Sequence, residues 1–337
     1  MTEIDTPDPI AASVLRYAEV LASEWHNMRG WLARRQPAPL GAGFAKSRRV
    51  RVLRVADQAQ AESSPALPRV LTADGVLANL ELAQDVLFRV RISDVPLQEA
   101  TATECMALIT SAYVPDPHPD GIVLVGPDDD EPGRMHARAL TWLRDLPPNW
   151  SISDDRFDTF ADMVEEAFAR LATTDADLLA TAQLVLNSIV VVDHPTQRAG
   201  VCSASLSHMW ISSAVVQDIA TLTDVLRGGI IHNALYFDEL VHAKWAVDPQ
   251  PLDDTKIFAP LPAFERPMEY DTAFQAAHIE YVRQLAAPPT EQDFNAVRAV
   301  IAEMFQYPGH LTDHGRALLE NLDELSAGAL VTNASET

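Results

Sequence analysis

Leu226-Arg-Gly-Gly-Ile-Ile-His-Asn-Ala-Leu-Tyr-Phe-Asp-Glu-Leu-Val-His-Ala-Lys-Trp245 is the stretch on which the reading of this chain turns. Its apolar residues recur at intervals of three and four, which predicts a long helix, starting near Ile219, with one apolar side. Within it stand His232, Tyr236, Glu239 and His242, an unusual density of metal-competent side chains. At about 100° per residue, His232, Tyr236 and Glu239 share a face and His242 lies on its flank.

Upstream, Ser188 to Val192 is apolar and β-branched and predicts a buried strand. Gly200 to Ser205 reads as a strand or turn that Met209 to Val215 can pair with. Asp155 to Ala172 predicts an amphipathic helix with Phe157, Phe160, Met163, Val164 and Phe168 on one side, and Asp175 to Asn187 a second helix. Downstream, Pro249, Pro251, Pro260 and Pro262 predict a loop rather than a helix. Helices are predicted again over Met268 to Leu285, Glu291 to Phe305 and Leu311 to Leu325. The small, polar residues after Ala327 predict a frayed end.

Further from the helix, Pro9 to Arg35 predicts a helix stopped by Pro37 and Pro39. Lys46 to Val55 alternates basic and apolar residues and predicts a strand, a solvated face or an anion contact. Ala73 to Val90, Leu97 to Ala112 and Met135 to Leu146 predict helices, and Ile122 to Val125 a short strand. Asp128 to Glu131 is acidic but lacks the spaced ligands of a calcium loop. Leu146-Pro147-Pro148-Asn149-Trp150 is the best internal boundary. The expected organisation is residues 1–150 as an N-terminal helical or α+β region, 151–330 as a helical domain around the central helix, and 331–337 as a frayed tail. The expected fold class is mainly α with a few short β-strands (α+β).

A chain of 337 residues with 47% hydrophobic residues can bury a sizeable core. Its formal net charge of −23 opposes nucleic acid and anionic membranes and favours solubility or a cationic peptide or partner. Cys105 and Cys202 form neither a CxxC pair nor a disulfide ladder. The start of the chain lacks the basic and apolar regions of a signal peptide, and no apolar run reaches the length of a membrane span. The expected location is cytoplasmic.

A hydrolytic or oxidative metal helix uses two imidazoles one turn apart, in the pattern His-Glu-x-x-His. Here the pattern is His232-Asn233-Ala234-Leu235-Tyr236. Asn cannot take a proton, and a tyrosinate suits ferric iron but not zinc or ferrous iron at neutral pH. His232, Glu239 and His242 offer a two-His-one-carboxylate set instead. On a straight helix, however, His232 and Glu239 lie about 10 Å apart. Glu239 and His242 are well placed as a pair. The bland alternative is a core His232 bonded to a backbone carbonyl, with Glu239 and His242 facing solvent.

From Gly200 to Val282 the residues resemble the HExxH-motif proteins of peptide natural-product clusters, of the 2-oxoglutarate/iron-dependent peptide β-hydroxylase type. Gly200-Val201-Cys202-Ser203-Ala204-Ser205 is similar to their Gly-x-x-Ser-x-Ser lead-in, and Gly228 to Leu240 to their metal helix. Phe258-Ala259-Pro260-Leu261 with Glu265-Arg266-Pro267 resembles their Ser-Pro-Trp-Arg…Arg-Pro segment. Ala273-Phe274-Gln275-Ala276-Ala277-His278 is similar to the helix giving their third His ligand. The resemblance covers about a quarter of the chain directly. It puts His232 in the place of the first metal His, with Asn233 and Tyr236 replacing the Glu and the second His. The third ligand falls on Gln275 or His278, and Arg266 would grip the 2-oxoglutarate carboxylate.

Three expectations follow. The first is a divergent HExxH-type protein of peptide natural-product biosynthesis, binding a peptide substrate or a partner modification enzyme, with impaired or lost metal chemistry. The second is an active non-haem iron, 2-oxoglutarate-dependent peptide hydroxylase whose reorganised site uses His232, His278 and either Glu239 or Tyr236, with His242 a further candidate ligand. Its cofactors would be Fe(II) and 2-oxoglutarate. The third is an unrelated soluble helical binding protein. His208 and Trp210 either line an entrance to the site or are ordinary core or surface residues.

Overall fold

The computed structural model describes residues 50–53, 67–79, 121–126, 154–186, 188–201, 208–242, 244–247, 249–262, 267–286 and 291–335. Among them helices predominate and the strands are short, so the fold class is mainly α with some β. The chain divides into two compact units, and the division falls between Phe237 and Asp238. The predicted elements at Pro9–Arg35, Leu97–Ala112 and Met135–Leu146, the acidic run, the Leu146–Trp150 boundary, both cysteines and Arg266 lie outside the described residues.

The first unit is built on a five-stranded sheet. Its strands are β1 (Val50–Leu53), β2 (Ile122–Val125), β3 (Ser188–Val192), β4 (Ala199–Val201) and β5 (His208–Ser212), in the spatial order β1-β2-β3-β5-β4. β2, β3 and β5 run parallel; β1 and β4 close the two sides antiparallel. Every residue of β3 and β5 is buried, as expected of central strands covered on both faces, and β3 accordingly reads Ser-Ile-Val-Val-Val. Gly200 sits opposite Trp210 in the register. A Cβ there would enter the indole, so only glycine lets the edge strand lie against that ring. His208 and Trp210 are buried β5 residues, and the core reading of both holds.

Two helices of this unit follow the sequence reading closely. α1 (Asp154–Thr174) buries Phe157, Phe160, Val164 and Phe168 on one stripe, with Met163 half-buried. α2 (Ala176–Val185) is capped by Asp175, whose carboxylate accepts from the Leu178 amide at 3.2 Å. Such a cap contributes about 1 kcal/mol. The organising helix is α3 (Ile219–Val241). Leu222, Leu226, Ile230, Ala234, Phe237 and Val241 are buried at the spacing the pattern predicts.

The second unit holds the helical segment 73–79 and the C-terminal helices. The stretch read as a proline-containing loop in fact contains a short helix, α4 (Pro249–Asp254). The reason is positional: Pro249 and Pro251 both fall in the first turn, where backbone N–H groups have no intrahelical acceptor to lose. β6 (Lys256–Ile257) pairs antiparallel with β7 (Met268–Glu269), so the predicted helix at Met268 begins two residues later. It is α5 (Tyr270–Ala286), followed by α6 (Glu291–Met304) and α7 (Asp313–Ser335). α7 runs to Ser335, beyond the point where the small polar residues predict fraying.

The link from α3 to α7 places the polar groups of this unit. Trp245 bridges to Leu311, the Thr312 amide donates to the Lys244 carbonyl at 3.0 Å, and the Ala246 amide to the His310 carbonyl at 2.9 Å. Gly315 lies so close to the Lys244 carbonyl that a Cβ would collide with it. The start of α7 is thereby drawn against the end of α3. Trp245 meets Phe274 and Tyr270 edge-on, at 5.2 and 6.1 Å between ring centroids.

Candidate functional site

The family-like turn of α3 is tightly occupied by its own contacts. Asn233 is fully buried, and its amide donates to the Gly229 carbonyl one turn earlier at 3.0 Å. A helix back-bond of this kind turns the side chain along the helix. His232 and Tyr236 are half-buried and stack with ring centroids 6.1 Å apart, so the spacing that predicts a shared face is realised. Gly229 gives this part of α3 its close approach to β5, since a Cβ would come within 2.5 Å of Met209 Cε.

At the other end of α3, Glu239 and His242 have separate partners. The Glu239 carboxylate accepts from Trp245 Nε1 at 3.1 Å through one oxygen and pairs with Lys244 Nζ at 3.1 Å through the other. Lys244 is fully buried, and its ammonium lies 5.5 Å from the centre of the Phe274 ring and 5.9 Å from that of Trp245. With both oxygens engaged and a cation against one of them, Glu239 is a structural counter-ion rather than an open metal ligand.

His242 belongs to a second polar group, centred on Asp238. Asp238 is only 1% exposed. It accepts from His314 Nε2 at 3.0 and 3.2 Å and from the Asn79 amide at 3.4 Å. The His242 ring stacks on His314, with centroids 4.4 Å apart and 28° between the planes. Burial pushes the His242 imidazolium below the ordinary histidine range; Asp238 opposes this shift and His314 adds to it.

His278 lies on α5 and is completely buried. Its Nδ1 is 2.8 Å from the Phe274 carbonyl, which can only accept, so Nδ1 carries the proton. Nε2 therefore keeps its lone pair, and among the described residues it has no hydrogen-bond partner. Burial lowers the pKa to about 4; the bond to Phe274 opposes this and the nearby Lys244 charge reinforces it. Gln275, the other candidate for the third ligand, is also buried on α5.

Among the described residues, the three metal-competent side chains within reach of one ion are Asp253, Glu269 and Asp271. None belongs to the predicted set, and Glu269 already pairs with Lys256 at 3.0 Å. The donor set at His232–Tyr236 does not fit a ferrous centre. The carboxylate position is a buried amide spent on the backbone, and the second imidazole is a phenol. Arg266 lies outside the described residues, while Phe258 and Ala259 donate their amides to Glu303 at 2.9 and 2.7 Å.

Sequence reasoning missed Asp238, Asn79, Lys244 and His314. The signal for one pair was present, since Asp238 and His242 are one helical turn apart; nothing local points to His314. No helix among the described residues is long and apolar enough to cross a membrane. The sequence matches no family model and no curated protein.

Proposed function

We propose that this chain is a divergent HExxH-type protein of peptide natural-product biosynthesis that binds a peptide or a partner modification enzyme and has lost iron chemistry at His232–Tyr236. One observation carries the loss: Asn233, in the place of the family's Glu, is buried with its amide bonded to the Gly229 carbonyl. Moving it toward a ligand would break that bond inside the core, at a cost of about 1–3 kcal/mol. Glu239, the carboxylate of the predicted ligand set, is held by Lys244 and Trp245. The charge of −23 favours a cationic peptide or partner surface, with association weakened by salt.

The alternative is an active iron, 2-oxoglutarate-dependent hydroxylase, and it draws on the bare Nε2 of His278, an imidazole already in the form that metals take. Anaerobic iron(II) titration of tag-free protein separates the two. The binding-protein reading expects no stoichiometric iron and no difference between wild type and His232→Ala. One iron per chain, lost in His232→Ala, would sink it. Its binding half is checked with a Lys/Arg-rich peptide followed by fluorescence anisotropy at low and high salt. Affinity that does not fall as salt rises removes the electrostatic argument.

A further inference from the structure

We infer that the outer face of the β6–β7 ribbon, from Phe258 to the carboxylates of Asp253, Glu269 and Asp271, docks an extended segment of a partner chain that carries a basic and an apolar side chain two residues apart. This rests on the binding reading above and names the surface that serves it.

Strand alternation divides the residues of the ribbon. Ile257 and Met268 pair across it and are buried, while Lys256 and Glu269 face outward as an ion pair at 3.0 Å. The next step of the same register sets Phe258 across from Pro267, and both are exposed. Phe258 is 69% exposed, more than any other large hydrophobic side chain among the described residues. A lone exposed apolar side chain needs no explanation, but this one is held out on a fixed backbone. The Phe258 and Ala259 amides donate to the two oxygens of Glu303 on α6, at 2.9 and 2.7 Å. The buried Ile257 and Leu261 tie the chain down on either side. An aromatic ring on a backbone already fixed costs little ordering entropy when it docks, which suits it as an anchor.

Charge names the partner. Asp253, Glu269 and Asp271 bring carboxylate oxygens within 4.8 Å of one another, and the Lys256 ammonium pairs with one of them, Glu269. Burial, and after it the charge of Glu269, holds Asp253 above the usual carboxylate range, against Lys256. Burial does the same to Asp271, with Asp253, Glu239 and Glu269 adding to it against the Thr272 amide. An incoming cation relieves this crowding of like charge. The Lys256–Glu269 and Phe258–Pro267 steps are two residues apart, about 7 Å along the strand. That is the spacing of side chains i and i+2 in an extended peptide, so a lysine can meet the carboxylates while an apolar residue two positions on meets Phe258.

Fluorescence anisotropy of the full, tag-free chain with labelled Lys-Ser-Leu-Ser-Lys-Ser-Leu at low salt tests this. Saturable binding is expected. Phe258→Ser should weaken it at least about tenfold, the usual effect of removing an anchor. Asp253→Asn should weaken it several-fold and flatten its salt dependence. Lys-Ser-Ala-Ser-Lys-Ser-Ala should bind about tenfold more weakly than the leucine peptide. Leu77→Ser and Asp158→Asn, exposed changes elsewhere, should bind as wild type. Wild-type binding that neither Phe258→Ser nor Asp253→Asn weakens overturns this face and leaves the binding reading standing. So does failure to bind the leucine peptide by a chain that still binds the Lys/Arg-rich one; failure to bind either removes both. A dimer in sedimentation velocity that Phe258→Ser dissociates also overturns the inference, because the face then belongs to a second copy of this chain.

Discussion

The two units differ in how they hold their buried polar side chains. In the sheet unit, buried polar side chains bond mostly to backbone. Ser212 accepts from the His194 amide and donates to its carbonyl, Asn233 donates to Gly229, and the His194 ring accepts from the Thr196 and Gln197 amides. In the C-terminal unit two carboxylates bond to other side chains, Asp238 to His314 and Asn79 and Glu239 to Lys244 and Trp245, while buried His278 and Tyr270 bond to backbone carbonyls. Backbone partners do not titrate and hold a fixed place. Side-chain partners carry charge, and their energies depend on pH and on each other. Among the described residues, the linked side chains around Asp238 and Glu239 lie after Phe237, Asn79 apart, whereas the family-like motif lies before it.

The largest expected effect tests that contrast at a buried side chain of the C-terminal unit whose partner is backbone. His278 has a folded-state pKa of about 4 against an ordinary value of 6.5. Its pKa is depressed, so at neutral pH the ring is uncharged in both states and nothing is lost. As pH falls below about 6.5 the unfolded chain takes up a proton that the native chain refuses. Stability then declines until about pH 4, by about 3 kcal/mol in total. The physical cause is a buried Nε2 that, once protonated, has no acceptor. Urea unfolding of His278→Leu should show a flatter pH profile between 6.5 and 4. His242, shifted in the same direction, leaves a residual slope. An unchanged profile in His278→Leu would remove His278 as the source.

A smaller effect is expected at the ion pair. Glu239→Gln keeps an acceptor for the Trp245 indole but leaves the fully buried Lys244 ammonium without its counter-charge. Removing one partner of a fully buried pair costs about 3–5 kcal/mol. Glu239 is partly exposed and the faces of Phe274 and Trp245 remain, so about 2 kcal/mol is expected. The double variant Glu239→Gln/Lys244→Met should recover most of that loss in urea unfolding. A double variant no more stable than the single one would show that the pair acts through packing rather than charge.

Local pattern carries the sequence reading as far as the elements. α1 and α3 are legible because their apolar residues repeat with the helical period, and β3 because its apolar, β-branched residues leave little choice. α4 was not legible because its prolines occupy a first turn, where they break no hydrogen bond. The site divides in the same way. The shared face of His232 and Tyr236 follows from spacing alone. The trio of Asp238, His242 and His314 does not, because it depends on Gly315 bringing α7 against the Lys244 carbonyl, a tertiary contact with no local signature. Glu239 shows a further limit. Its position was legible and its role was not, since the Lys244 ammonium that occupies it looks from sequence like a solvated surface charge.

The smallest effects compare two glycines within the sheet unit, where the fixed, backbone-bonded character of the region should make packing decide. At Gly200 a Cβ would enter the indole of Trp210, a rigid ring that is itself buried and stacked on His194 with centroids 5.4 Å apart. At Gly229 the Cβ would meet Met209 at 2.5 and 2.7 Å from Cε and Sδ, the far end of an unbranched side chain with several rotatable bonds. Gly200→Ala has to displace the indole or the edge strand and should cost about 1–3 kcal/mol, the usual range for overpacking. Gly229→Ala requires one methionine rotamer change and removes a glycine from mid-helix, which by itself favours the helix by about 1 kcal/mol. The two terms nearly cancel, so its stability should stay within about 0.5 kcal/mol of wild type. Trp210 fluorescence during urea unfolding reads both variants at the ring concerned. A Gly229→Ala protein destabilised as much as Gly200→Ala would mean that Met209 is not free to move, and that α3 is held against β5 as rigidly as β4 is.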